Sequence, residues 1–167
     1  MPSEKMLESL HQLLVVVIDI NPHQLLYARH PGSFSQIQNS VMSLLSQHMM
    51  LHPTNQVALV AAHSSGCTFL YPDDSSDVSE TVLRQQDGQY EVFYHLETII
   101  KERVAQVIER DRNINTSECL LSGALTKALC YINKVQASRM EGEKYSPRLL
   151  GINILYYSIQ QTLFEYE

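Results

Sequence analysis

The sequence predicts an α/β domain with a mostly parallel sheet and helices on both faces. Three observations carry that expectation. Residues 13–18 (LLVVVI) form an unbroken aliphatic run without polar alternation, the pattern of a strand covered on both sides. A second buried run at 57–62 and a further strand-like run at 148–155 follow it. Between them lie three stretches, 34–51, 92–110 and 117–135, whose apolar residues recur at helical spacing.

The first strand ends at Asp19, and Pro22 prevents simple continuation. In open α/β sheets, sites gather at the carboxyl ends of central strands, so Asp19 stands where a site belongs. A loop, 22–32, leads to Ser33, which has Gln36 three residues on, a capping-box signature. Phe34, Ile37, Val41, Leu44, Leu45 and either His48 or Leu51 then mark one helical face, and Pro53 closes the helix. Residues 57–62 (VALVAA) are a second buried strand, Ser64-Ser65-Gly66 a tight turn and 67–71 a third strand. A turn this short joins antiparallel neighbours, because a parallel return needs a crossover. The second and third strands therefore form a hairpin at the sheet edge.

Residues 72–89 are polar, rich in Asp and Ser, and read as a surface loop. The helix at about 92–110 presents Leu96, Ile99, Ile100, Val104, Val107 and Ile108 on one face. The helix at about 117–135 presents Leu121, Ala124, Leu125, Ala128, Leu129 and Ile132, with Asn115 and Glu118 able to cap it. Small residues at Ser122, Gly123 and Ala124 let this helix lie close to the sheet. A polar loop, 138–147, precedes the fourth strand at 148–155, and the tail 156–167 is aromatic and apolar with no clear period.

Composition narrows the function classes. The 167 residues are 44% hydrophobic and 18% charged, enough for one domain with a core. The net charge of −6, with no cluster of Lys and Arg, argues against a domain that grips nucleic-acid phosphates by itself. The cysteines, Cys67, Cys119 and Cys130, are odd in number and form no CxxC, which disfavours a structural zinc site or a disulfide framework within the chain. Cys130, in the apolar run 128–130, is expected to be a buried thiol. Asn115-Thr116-Ser117 matches the glycosylation sequon, which matters only in a secreted protein. Residues 1–8 carry charges of both signs and lack the apolar core of a signal peptide, and the run 13–18 is too short to span a membrane. These features point to a reducing compartment.

Three sets of residues invite a chemical reading. Asp19, Asn21 and His23 place donors at alternate positions after a strand, as a hard divalent cation requires, though His23 brings nitrogen where oxygen is wanted. Asx side chains that hydrogen-bond the loop backbone account for the same pattern. His48 and His52 have zinc-ligand spacing, but no third ligand and no catalytic Glu accompany them. Ser64-Ser65-Gly66 and Ser122-Gly123 lack the nucleophile elbow, and Cys67 with His63 is the remaining nucleophile–base pair. No phosphate-binding glycine loop occurs, so no catalytic or cofactor-binding residue is expected.

An apolar strand ending in Asp-x-Asn, a β-hairpin, two helices and a further strand together resemble the von Willebrand factor A domain. More closely, the chain is similar to the family of small von Willebrand A-like subunits of the transcription and DNA-repair factor TFIIH. The matching stretches are 13–22 (LLVVVIDINP), 57–63 (VALVAAH), 69–72 (FLYP), 87–91 (DGQYE) and 121–132 (LSGALTKALCYI), the last being the most specific. The resemblance implies a nuclear, non-catalytic core subunit acting in transcription initiation by RNA polymerase II and in nucleotide excision repair. Its main implied partner is the larger von Willebrand A-containing subunit, without direct nucleic-acid or membrane contact.

The resemblance also implies a degenerate adhesion site. Asp19 is kept, Asn21 and His23 stand at two serine positions, Thr116 or Ser117 falls near the threonine position, and no Asp follows the fourth strand. No cofactor is expected in this chain, since the family's zinc lies in a Cys-rich C-terminal region that these residues do not contain. Residues 1–155 are thus expected to form a C-terminally incomplete von Willebrand A-like domain and 156–167 an atypical tail. Four strands would leave an edge and apolar helix faces uncovered. Two other classes fit the pattern less fully: an adhesion module binding a partner carboxylate through Mg²⁺ at Asp19, and a small α/β hydrolase using Cys67 or a serine.

Overall fold

The computed structural model describes residues 12–21, 30, 32–52, 55–72, 89–114, 120–137 and 146–152. Its elements run β1 (Gln12–Asp19), α1 (Ser33–Leu51), β2 (Gln56–His63), β3 (Gly66–Tyr71), α2 (Gln89–Asp111), α3 (Leu121–Ala137) and β4 (Ser146–Ile152). The strands form one sheet in the order β3-β2-β1-β4. β1 is central and pairs parallel with both neighbours, so that Val15 stands between Ala58 and Leu149. β2 and β3 pair antiparallel through the turn at Ser64 and Ser65, with β3 at the edge as the short turn requires.

The unbroken aliphatic run of β1 is explained by the two layers it separates. Leu14, Val16 and Ile18 face α1 and α2, where they meet Val41, Leu45, Leu96, Ile100 and Val104. Leu13, Val15 and Val17 face α3, where they meet Ala124, Ala128 and Ile132. Val15, Val16 and Val17 are all fully buried, each contributing about 1.5–3 kcal/mol relative to exposure. The von Willebrand A-like arrangement of helices on both faces of a mostly parallel sheet follows directly from this alternation.

Several local expectations change. Ser33 does not cap α1: it is the first helical residue, the cap position is Gly32 with φ of 96°, and no side chain caps the helix. Left-handed backbone there suits glycine, which has no Cβ to strain. At the other end Asn55 ties the helix to the sheet, its Nδ2 donating to the His48 carbonyl at 2.9 Å and its Oδ1 accepting from the Gln12 amide at 3.2 Å. His48, not Leu51, completes the buried face, since Leu51 is 75% exposed.

On α3 the run 128–130 divides. Ala128 is buried, Leu129 is 51% exposed and Cys130 is exposed, contrary to the inward Leu129 expected from helical spacing and the buried thiol expected from the apolar run. Successive helical residues turn by about 100°, so only one of the three can face the sheet. β4 begins at Ser146, two residues before the expected start. Leu149 and Leu150 on its two faces remain 39% and 40% exposed, and among the described residues its outer edge pairs with no strand. The loops 22–29 and 73–88, the α3 cap at Asn115 and Glu118, and the tail 156–167 lie outside the described residues. No helix among the described residues is long and apolar enough to cross a membrane.

Candidate functional site

Parallel pairing brings the ends of β1 and β2 to one rim, with Asp19 in register with Ala62 and the Ile20 amide bonded to the Ala62 carbonyl at 2.9 Å. Asp19 is 1% exposed and Asn21 is fully buried. The Asp19 Oδ1 accepts from the Asn21 amide at 2.9 Å. This is the Asx turn that competes with metal ligation in the sequence reading. His23, Thr116 and Ser117 lie outside the described residues. Among the described residues no three His, Cys, Asp or Glu side chains converge as a metal would require.

The other expected pairs separate. His48 is buried under α1 while His52 is exposed at its end, in extended backbone, so the two rings do not share a face. Burial lowers the His48 pKa; the backbone of Gln12 and Gln56 opposes that and Arg148 adds to it. Cys67 packs in the α3 layer, whereas His63 turns toward the end of α2. Alternation along the hairpin puts them on opposite faces of the sheet, which removes them as a nucleophile–base pair.

His63 belongs instead to a network that the sequence reading did not contain. Its Nδ1 lies 2.8 Å from Oδ2 of Asp111, the last residue of α2, and both side chains are buried at 2% and 0% exposure. The Asp111 carboxylate also accepts from the Ser65 hydroxyl at 2.6 Å, the Ser65 amide at 3.1 Å and the Arg110 Nε at 3.4 Å. With Nδ1 donating to Asp111, Nε2 is the acceptor, facing Thr68 Oγ1 at 3.0 Å and Arg110 Nη2 at 3.1 Å.

Burial pushes the Asp111 carboxyl up, but the Ser65 hydroxyl, His63 and the Ser65 amide together outweigh it and hold the group at about 2. Burial lowers the His63 pKa; Asp111 opposes that, while Arg110 and Lys127 reinforce it. The result is an ionised Asp beside a neutral His. The Ser65 proton is directed at the carboxylate, not the imidazole, and the His63 ring is sealed from solvent. The arrangement holds the hairpin turn, the end of β2 and the end of α2 together.

Asp111 did leave one trace in the sequence. An acidic residue at a helix C-terminus opposes the macrodipole, so a partner off the helix was needed to account for it. Alongside this network, Lys127 of α3 sits 5.0 Å over the Phe69 ring, which packs against Tyr131 at 5.2 Å and fixes α3 over β3.

Residues 11–164 match the family model described as Transcription factor Tfb4. A relative in Schizosaccharomyces pombe, the general transcription and DNA repair factor IIH subunit tfb4, is 28% identical over 74% of this chain and 42% of its own length. The subunit TFB4 of Arabidopsis thaliana is 28% identical over the same shares, 74% and 42%. That of Saccharomyces cerevisiae is 25% identical over 92% of this chain and 50% of its own length. The chain thus spans about half or less of these relatives. Among solved structures, the TFIIH p34 N-terminal domain shares the fold, with a TM-score of 0.65 and 24% identity over 92% of this chain and 74% of that one.

Proposed function

The chain belongs to the Tfb4 transcription-factor family, and from that premise we propose that it acts as a non-catalytic structural subunit of TFIIH, serving RNA polymerase II transcription initiation and nucleotide excision repair in the nucleus. The observation that carries this reading is the family match, which extends over 11–164 and includes both faces of the sheet. The buried network at the strand ends supports it, since His63 and Asp111 are spent on fixing the rim. A net charge of −6 fits a role exercised through other proteins, without direct nucleic-acid contact.

Its partners are the other TFIIH core subunits, chiefly the larger von Willebrand A-containing subunit. In this reading residues 1–155 are the scaffold. Asp19, Asn21 and His23 are a remnant of an adhesion site that holds no metal. Affinity purification of the tagged chain from nuclear extract, followed by mass spectrometry, tests the assignment beside a full-length family member as control. Co-recovery of TFIIH core subunits is expected. Their absence from this chain, with the control retaining them, would remove the assembly role.

A further inference from the structure

The outward face of α1 carries no charge. The helix contains no Asp, Glu, Lys or Arg, and its one titratable side chain, His48, is turned inward and buried. Its exposed residues include Gln36, Ser40, Ser43, Gln47, Met50 and Leu51. At about 100° per residue these six fall within one narrow arc, opposite the fully buried Leu45. A shallow groove of about 470 Å³ lies over the middle of the face, with Asn39, Ser43, Leu44 and Gln47 in its lining. α2 packs into the same layer of the core and differs. Its exposed residues include Glu97, Lys101, Glu102, Glu109 and Arg110, and Lys101 pairs with Glu97 along the helix. Charges of that kind are what a helix facing water ordinarily carries, because they stay solvated.

The polar groups of the α1 face are also satisfied in part by the helix itself. The Ser40 hydroxyl donates to the Gln36 carbonyl at 2.9 Å, and the Gln47 Nε2 donates to the Ser43 hydroxyl at 3.0 Å. Donors that already have partners lose little on leaving water. In the last turn Met50 is 59% exposed and its neighbour Leu51 75%, which gives the face an apolar end. Absence of charge, internal pairing of polar groups and adjacent exposed apolar residues together describe a surface that is cheap to bury.

We infer that this face of α1 is a docking surface for a helix of a partner protein whose contacting face is likewise uncharged; the inference rests on the assembly role proposed above. Electrostatics sets the chemistry of the occupant. A carboxylate, ammonium or guanidinium pressed onto the face would leave water and find no counter-ion in α1, a cost that contact does not return. An apolar and amide-bearing face meets no such cost. Its aliphatic side chains can cover Met50 and Leu51, and its amides can bond Gln36 and Gln47. The centres of protein interfaces have this same character, depleted of charge and enriched in Met. The 19 residues of α1 extend about 28 Å, room for a partner helix of several turns laid along the groove.

Ser43→Glu and Ser43→Arg, each in the full tagged chain, test this by quantitative recovery of TFIIH core subunits from nuclear extract. Position 43 is exposed, so both variants are expected to melt as the parent does. Each is expected to recover at least about tenfold less of the core subunits, because a buried charge of either sign lacks a partner there. Ser43→Ala on the same face and Gln106→Glu on the exposed side of α2 are expected to recover as much as the parent. Undiminished recovery by both charged variants overturns the inference and leaves the assembly role standing. Loss with one sign of charge and not the other also overturns it, since the occupant would then be charged. A parent chain that recovers no core subunits, beside a full-length family member that does, removes the assembly role and the docking surface together. A dimer in sedimentation that Ser43→Arg abolishes would assign the face to a second copy of the chain and would likewise overturn the inference.

Discussion

His63 at the end of β2 and Asp111 at the end of α2 are 48 residues apart in the chain and 2.8 Å apart in space, both buried. The pair joins the hairpin to the helix that covers it, and Ser65 closes the turn onto the same carboxylate. Replacing Asp111 by Ala strands the His63 Nδ1–H and the Ser65 amide at once. A loss of about 2–4 kcal/mol in unfolding free energy is expected in urea titration. Asp111→Asn keeps an acceptor and should lose less; equal losses would mean that the neutral acceptor contributes nothing and the charge carries the whole effect.

Stability should fall on mild acidification. His63 and His48 both have pKa values lowered from 6.5 by burial, so the unfolded chain binds protons that the folded chain refuses. Their contribution is complete above pH 6.5 and declines as pH drops below it. Asp111 works in the same sense at lower pH. Held at about 2 against an ordinary 3.8, it adds stability that is lost between those values. Urea midpoints measured from pH 7.5 downward check this, and His48→Leu should flatten the first decline. A midpoint that rises toward pH 5.5 would contradict the buried neutral histidines.

Mg²⁺ should leave the chain unaffected. The Asp19 Oδ1 is engaged by the Asn21 amide, and His23 stands where a further oxygen ligand would. Calorimetric titration is expected to give dilution heat alone and an unchanged melting temperature. A saturable heat that vanishes in Asp19→Ala would restore the adhesion-site reading.

Among the described residues β4 has one paired edge, whereas β1 has two. Hydrogen exchange should therefore be faster in β4 than in β1, whose valines are fully buried. Comparable protection in the two strands would show that something else covers the β4 edge.

Gly123 on α3 faces Cys67, and a Cβ built there would lie 3.6 Å from the sulfur, an ordinary contact. Gly123→Ala is expected to raise stability by about 0.5–1 kcal/mol, the helix-propensity gain with no clash to offset it. Thermal denaturation measures this, and a destabilised variant would mean that α3 packs closer to the sheet than this spacing allows.

The sequence by itself determined the fold class, the central place of β1, the edge hairpin and the inward faces of α1 and α2. These follow from apolar periodicity, which is written locally and needs no knowledge of neighbours. It also placed Asp19 at a strand end and supplied the family stretches. The helix start at Gly32 and the exposure of Leu129 and Cys130 escaped because composition does not fix a helix's rotation or its first turn. The His63–Asp111 pair was decided only in the tertiary structure. Its members lie on different elements, carry no motif spacing, and meet because β2 and α2 end at the same rim of the sheet. There burial makes a shared carboxylate the partner of an imidazole N–H, a turn amide and a hydroxyl together.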